Sequence, residues 1–596
     1  MNTETKICQN CENPFTIESG DFDFYKKIGV PPPTLCFDCR LTRRLIWRNE
    51  RTLHRRKCDA PGHSETLISM YSPNAPVTVY DHKYWWSDEW DPMQYGKDYD
   101  FSRPFFEQWK DLLYKTPTPA LINIDAVNSD YCNFTYQSKN CYLNFASDMN
   151  EDSAYLYHSI HNRNCCDMLG SAKSENCNEM TDCEGCYDSS HLVLSEACLH
   201  CKYCYDCRNC QNCVGCVGLR SAKYCILNEK LSEAEYKIKL ESLALHTRAG
   251  RRKFEEQFAT LMLAHPRKFS NSRHTVNSTG DYLKEVKNSK DCFDIEGPME
   301  DSRFVIYGVT DMRNVYDAFA IGVNIENCYE VMDAGSNLQD AAFCGNVWDG
   351  FALRYCYFMR NCSNCFGCVG LRNKQYCILN KQYTKEEYGL LFDQIVAHMD
   401  KTPYKDASGR AHAYGEFFPA EFSPFAYNES AVQDYFPLTK NETVRQGFVW
   451  RDAEERDYRI TMKTEDVPEG IADVQDSITT EIIACRHEGT CNDQCTVAFK
   501  IIPQELQLYK KIGAPLPDLC PNCRHHERLR LRNPLRLWSR ACQCEGSEEE
   551  NKNGAYKNSA THSHGAGHCT NEFKTTYAPN RPEIVYCEQC YQAEVA

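Results

Sequence analysis

The spacing of thiols at the two ends of this chain restricts its folding more than any other feature. Near the start, Cys8-x2-Cys11 is followed by Phe24-Tyr25-Lys26-Lys27-Ile28-Gly29 and then by Cys36-x2-Cys39-Arg40. Near the end the same order recurs as Cys491-x3-Cys495, Leu508-Tyr509-Lys510-Lys511-Ile512-Gly513 and Cys520-x2-Cys523-Arg524. From Cys11 to Cys58 the two stretches match at a constant shift of 484, carrying Cys11 onto Cys495, Cys36 onto Cys520 and Cys58 onto Cys542. An ungapped match of that length reads as internal duplication. Two thiolate pairs about 25 residues apart can close a tetrahedral site, which is what structural zinc requires. Metal binding would then form part of the folding free energy of each small module. The first pair precedes a strand-like run and the second opens a helix-like run, so each module is expected to be a treble clef.

These motifs resemble a zinc-ribbon (treble-clef) domain family with paired knuckles around a Phe-Tyr segment and an arginine after the last cysteine. The resemblance covers about 45 residues at each end and implies zinc binding, with no activity attached. The wider layout resembles zinc-ribbon proteins of candidate-phylum bacteria. Beyond Cys542 the second stretch continues with Cys544, Cys569 and Val585-Tyr586-Cys587-x2-Cys590. A third zinc site is expected there, from Cys569, Cys587, Cys590 and either Cys542 or Cys544, with His562, His564 and His568 as competing ligands. The first stretch has Val79-Tyr80-Asp81-x2-Tyr84 at the matching place. Having lost two ligands, it is expected to hold no metal and to rely on Trp85, Trp86 and Trp90 for packing.

In a small secreted protein, 38 cysteines would mean disulfides, but this chain has 596 residues and shows no apolar leader with a cleavage site. Nowhere do 18 apolar residues run together, so no membrane span is expected. A reducing, cytoplasmic setting with thiols as ligands or interior groups is the better reading. Between the end modules, Cys or aromatic steps such as Asn140-Cys141-Tyr142 and Asn327-Cys328-Tyr329 recur between Asn, Asp, Ser and Gly turns. Short strands at such a period predict a β-solenoid. The region is itself doubled: Gly215 to Arg220 and Tyr224 to Asn228 return at a shift of 152 as Gly367 to Arg372 and Tyr376 to Asn380. After each copy a helix with a capping-box start follows, at Ser232-x2-Glu235 and Thr384-x2-Glu387. Seven cysteines from Cys198 to Cys216 are spaced by three. They read as a ladder of small interior side chains, with soft-metal loading as the alternative.

Each zinc module is followed by an arginine stripe: Arg40, Arg44 and Arg48 in the first, Arg524, Arg528 and Arg532 in the second. Spacing by four aligns them on one helical face, a pattern suited to phosphate contacts with RNA or a ribonucleoprotein. The alternative is internal, because the chain carries a net charge of −16 and its own acids could pair with the stripes.

No phosphate-binding loop, zinc-protease helix or serine-elbow motif is present. His63-Ser64-Glu65 imitates the start of a deaminase motif whose Pro-Cys-x2-Cys is missing. The expected protein is therefore non-catalytic and mainly β, with no small-molecule substrate identifiable. Its layout runs as zinc module 1–57, degenerate ribbon 58–127, solenoid block 128–228, helical insert 229–287, second block 288–380, helix and linker 381–484, zinc module 485–541 and ribbon 542–596. The metal ligands expected are Cys8, Cys11, Cys36, Cys39, Cys491, Cys495, Cys520, Cys523, Cys542, Cys544, Cys569, Cys587 and Cys590, for about three zinc ions. The function is binding, of RNA through the arginines or of a protein partner through the solenoid, with a metal or redox role for the cysteine run as a third reading.

Overall fold

In a computed structural model, which describes residues 2–452, 459–547 and 556–595, the chain divides into two units that are not contiguous in sequence. Unit 1 joins Met1–Leu121 to Ser270–Asp452 and Leu535–Leu537, and unit 2 joins Ile122–Phe269 to Ala453–Pro534 and Trp538–Ala596. The thiol-rich modules at each end thus belong with the strand block farther from them in sequence. None of the 38 cysteines forms a disulfide, and among the described residues no helix is long and apolar enough to cross a membrane.

Unit 2 contains a parallel sheet that advances twelve residues per strand, pairing Cys166 with Asn178, Asn178 with Ser190 and Ser190 with Lys202. Its backbone has a finer period. Every third residue from Phe134 to Leu227 has a positive φ, between 44° and 60° for the residues other than the glycines Gly170, Gly185, Gly215 and Gly218. Each left-handed residue turns the chain, and the residue after it points inward. Every third position from Thr135 to Cys216 is accordingly buried. Four inward side chains per twelve-residue step leave a narrow interior, which Ser, Asn, Cys, Leu and Met fill. The polar ones bond to the backbone, as buried groups must: Ser129 Oγ donates to Val127 O (2.9 Å) and accepts from Cys141 N–H of the next step (3.1 Å).

Unit 1 contains a second parallel sheet with longer strands, from Gly280–Lys287 to Gln375–Ile378, advancing by twelve or thirteen residues. Its interior is largely apolar, with Val315, Ala318, Ile321, Cys328, Val331 and Ala334 in one cluster. The strand Gly280–Lys287 falls where a helical insert was expected, because Leu283 and Val286 already carry inward positions of the sheet. The insert itself reduces to the helices Glu233–Ser242 and Arg248–Ala264. Each sheet ends in a short antiparallel return, Glu229–Lys230 or Lys381–Gln382. A helix follows, and its capping box closes as expected: Ser232 Oγ accepts from Glu235 N–H, and Thr384 Oγ1 from Glu387 N–H.

Candidate metal centres

The N-terminal centre is assembled from a hairpin and a helix. Glu4–Ile7 pairs antiparallel with Pro14–Ile17, and Cys8 and Cys11 lie in the turn between them. Cys36 caps the helix Phe37–Leu45, with Cys39 in its first turn. The ligand atoms of all four lie within 4.8 Å of one another. Cys11 and Cys36 sulfurs are 3.6 Å apart, Cys36 N–H donates to Cys8 Sγ (3.3 Å), and Asn10 Nδ2 donates to Cys39 Sγ (3.3 Å). A metal bound to four sulfurs at about 2.3 Å holds them about 3.8 Å apart, so the set fits a tetrahedral ion. The hydrogen bond from Cys39 lowers the Cys36 thiol to about 5, and a helix N-terminus favours the same thiolate.

The second centre repeats this construction with one exchange. The hairpin is Ile483–Ala484 with Ala498–Phe499, and the helix Pro521–Leu529 is capped by Cys520. Its quartet is Cys485, Cys495, Cys520 and Cys523, so Cys485 replaces the expected Cys491. Cys520 N–H donates to Cys485 Sγ (3.3 Å), as Cys36 N–H does to Cys8. Cys520 lies 3.5 Å from Cys523, and Cys485 lies 3.9 Å from Cys523. The reason is strand pairing: Cys485 directly follows the first hairpin strand, as Cys8 follows Ile7. Cys491 lies in the longer loop between the strands, where it joins His487, Asp493 and Cys523 in a mixed set. The signal was present as Ile482-Ile483-Ala484 ahead of Cys485, an apolar strand ending on a thiol.

A third centre gathers Cys542, Cys569, Cys587 and Cys590, all buried. Trp538–Ala541 pairs with Glu572–Thr575, and Cys587 N–H donates to Cys542 Sγ (3.2 Å) just before the helix Glu588–Val595. The thiol hydrogen bond with Cys542 lowers Cys587 to about 4. Cys544 belongs to a different set, with His562, His564 and Cys590. Cys542 and Cys544 are therefore not alternatives. Among the expected metal-ligand residues, the structure brings Cys8, Cys11, Cys36 and Cys39 together as proposed, and all the others fall in one of these sets.

The cysteine ladder is explained by its surroundings. Cys204 Sγ lies within reach of Lys202 O (3.5 Å) and Cys213 O (3.6 Å), either of which can accept its one S–H, and Cys198 is placed likewise between Glu196 O and Cys207 O. Burial holds the Cys204 thiol well above its usual range, which suits a neutral donor, whereas hydrogen bonds from neighbouring thiols lower Cys201 and bring Cys216 down to about 5.

The arginine stripes face inward. Arg40, Arg44, Arg48, Arg524 and Arg528 are buried, and the side chain of Arg532 is 8% exposed. Arg40 and Arg44 both reach Asp317 (2.9 and 3.3 Å), and Arg48 pairs with Glu50 and Asp333. In unit 2, Arg524 and Arg528 both reach Asp167 (3.4 and 2.9 Å), and Arg532 reaches Asp182 (2.9 Å). The helices end at Leu45 and Leu529, before the third arginine of each stripe. Burial works against the charge of Arg40, but Asp317 outweighs it and its pKa is raised. Each stripe therefore anchors a metal-ligand module to the strand block of its own unit, and the face expected to meet phosphates is already occupied by carboxylates.

Compared with known proteins, the chain matches no family model and no curated protein.

Proposed function

We propose that the protein is a non-catalytic, zinc-stabilised interaction scaffold, in which treble-clef modules brace two β-solenoids. The observation that carries this reading is the three all-thiolate quartets, whose sulfurs sit at the separation a tetrahedral ion needs. Four thiolates close the coordination shell and leave no position for substrate, which is the pattern of structural rather than catalytic zinc. The twelve-residue parallel steps and the period of inward residues support a solenoid, since each step buries its interior only against its neighbours. The zinc-ribbon resemblance agrees with the hairpin-and-helix placement of the ligands.

The docking surface of the scaffold is the outside of the unit 2 strand block, where Val127, Tyr131, Tyr136, Met149, Ile160 and Tyr187 are exposed. Exposed apolar and aromatic side chains spaced along one block suit a protein partner better than a phosphate backbone. RNA binding through the arginines would first have to break buried ion pairs, at a cost that a phosphate contact does not repay. Two measurements on protein purified without nuclease at low salt test the reading. Elemental analysis should return zinc without iron or sulfide, and the absorbance ratio should be that of protein alone. Iron with sulfide would overturn the zinc assignment. RNA that leaves steeply with salt would overturn the internal role of the arginines.

A further inference from the structure

We propose that Cys544, His562, His564 and Cys590 form an additional zinc site, which shares the Cys590 thiolate with the Cys542 quartet to make a two-metal cluster. This rests on the reading that the quartet itself holds zinc.

Two complete four-ligand sets meet at one sulfur. Cys542, Cys569, Cys587 and Cys590 form one, and Cys544, His562, His564 and Cys590 the other, each with its ligand atoms within 4.8 Å. In the second set Cys544 Sγ lies 3.6 Å from His562 Nδ1 and 3.4 Å from His564 Nε2, which is 3.4 Å from Cys590 Sγ. A tetrahedral zinc with bonds of about 2.3 Å to sulfur and about 2.0–2.1 Å to nitrogen places such atoms about 3.6 Å apart.

The surroundings are those of a ligand set. His562 is 3% exposed, and its other nitrogen, Nε2, lies 2.8 Å from Glu594 Oε1. Metal-binding histidines are commonly fixed in this way by a carboxylate, which settles the tautomer and raises ligand basicity. Glu594 is itself held by Tyr556 Oη (2.7 Å) and Ser559 N–H (3.0 Å). Asn558 Nδ2 donates to Cys544 Sγ (3.4 Å), as suits a thiolate. Sharing also helps the charge balance. One zinc on the quartet leaves −2, whereas two zincs on five thiolates and two neutral imidazoles leave −1, a smaller burden for buried groups.

The competing candidate, His487, Cys491, Asp493 and Cys523, is weaker because Asp493 is already paired with Arg530. The histidine-containing set, by contrast, arrives with its own stretch of chain. In unit 1 the strands His54–Lys57 and Thr66–Ser69 are joined by eight residues, whereas Trp538–Ala541 and Glu572–Thr575 are joined by thirty. The longer connection carries Cys544, Asn558, His562 and His564, and Ala60 stands where the 484-residue shift would place Cys544.

The test compares full-length wild type with His562→Gln/His564→Gln, by zinc content and by cobalt substitution. The wild type should hold one more zinc per chain than the double variant, with the Cys542 quartet still loaded in both. Equal zinc content in the two would overturn the proposal. Metal-free wild type would instead overturn the zinc reading of every centre. If the variant does not fold, a cobalt titration of the wild type decides. Two cobalt ions bridged by a thiolate couple their spins, so the electron paramagnetic signal should fall over the last equivalent. A signal that rises in proportion to the last ion bound would overturn the shared site.

Discussion

The hairpin around Cys58 and the hairpin around Cys542 make the same backbone contact by different chemistry. In unit 2, Cys587 N–H donates to Cys542 Sγ, and Cys587 precedes a helix as one of the four thiols of a quartet that could hold a metal. In unit 1, Asp81 N–H donates to Cys58 Sγ (3.3 Å), and Asp81 caps the helix His82–Trp86 by accepting from Lys83 and Tyr84 N–H. Strand pairing extends the match. His54 pairs with Ser69 and Trp538 with Thr575, which sets His63 in the place of Cys569 and Tyr84 in the place of Cys590. A thiolate quartet on one side thus corresponds to Cys58, His63, Asp81 and Tyr84 on the other. There His63 packs against Tyr84 with the rings tilted (4.5 Å between centroids), and Trp85 is buried with its indole N–H bonded to Pro117 O. A hairpin and helix can be held together by an ion or by a cap and aromatic packing, and the backbone hydrogen bond survives the exchange.

The largest effect should come from removing metal on the side that uses it. Structural zinc in small modules contributes about 10–16 kcal/mol of apparent binding energy at neutral pH. Cys569→Ser with Cys587→Ser should therefore release zinc and open Trp538–Thr575 to amide exchange, while His54–Ser69 stays protected. Equal protection of both hairpins after the substitutions would remove the contrast. The converse experiment installs what unit 1 lacks. Asp81→Cys with Tyr84→Cys should gain about one zinc per chain, bound by Cys58, His63 and the two new thiolates in a three-sulfur, one-nitrogen set. The gain in melting temperature should be smaller than the loss above, because the substitutions give up the Asp81 cap and the packing of Tyr84 on His63. No added zinc would mean that the two hairpins differ in backbone as well as in ligands.

The arginine anchors should behave alike in the two units. Asp317→Ala takes a buried carboxylate from Arg40 and Arg44, leaving Arg44 with Glu330, and Asp167→Ala takes one from Arg524 and Arg528, leaving Arg524 with Glu505. Breaking one side of a buried pair costs about 3–5 kcal/mol, readable as a shift in denaturant midpoint. Similar losses for the two variants would make the anchoring common to both ends, and a loss in one alone would restrict it to that unit.

How much of this was legible depended on whether position or partner decides. The N-terminal quartet could be read from Cys8, Cys11, Cys36 and Cys39 because all four lie at knuckle spacing. The second could not be read fully, because seven extra residues separate Cys485 from Cys495, compared with Cys8 from Cys11, and only the pairing of Ile483 with Phe499 shows which thiol ends the strand. The period of three in Cys198 to Cys216 was visible, but not that it continues through Ser, Asn, Leu and Met back to Thr135, since hydropathy hides a repeat whose inward residues are partly polar. The arginine spacing placed Arg40 with Arg44 and Arg524 with Arg528 on one helical turn facing a shared acid, but the third arginine of each stripe lies beyond the helix end. Which acids the stripes meet depends on crosswise assembly of distant segments, which local pattern does not encode.

The smallest effect should be the most informative about how unit 1 manages at this place. Asp81 contributes its carboxylate to two helix N–H groups, and replacing such a cap costs about 1 kcal/mol. The hydrogen bond to Cys58 comes from the Asp81 backbone and is kept whatever the side chain. Asp81→Ala should therefore lower stability by about 1 kcal/mol in equilibrium denaturation, and Asp81→Asn, which still caps, by less. Exchange protection of His54–Ser69 should persist in both, because Trp85 remains buried. A loss several times larger for Asp81→Ala would mean that the carboxylate, not the tryptophan packing, carries the role that the ion has in unit 2.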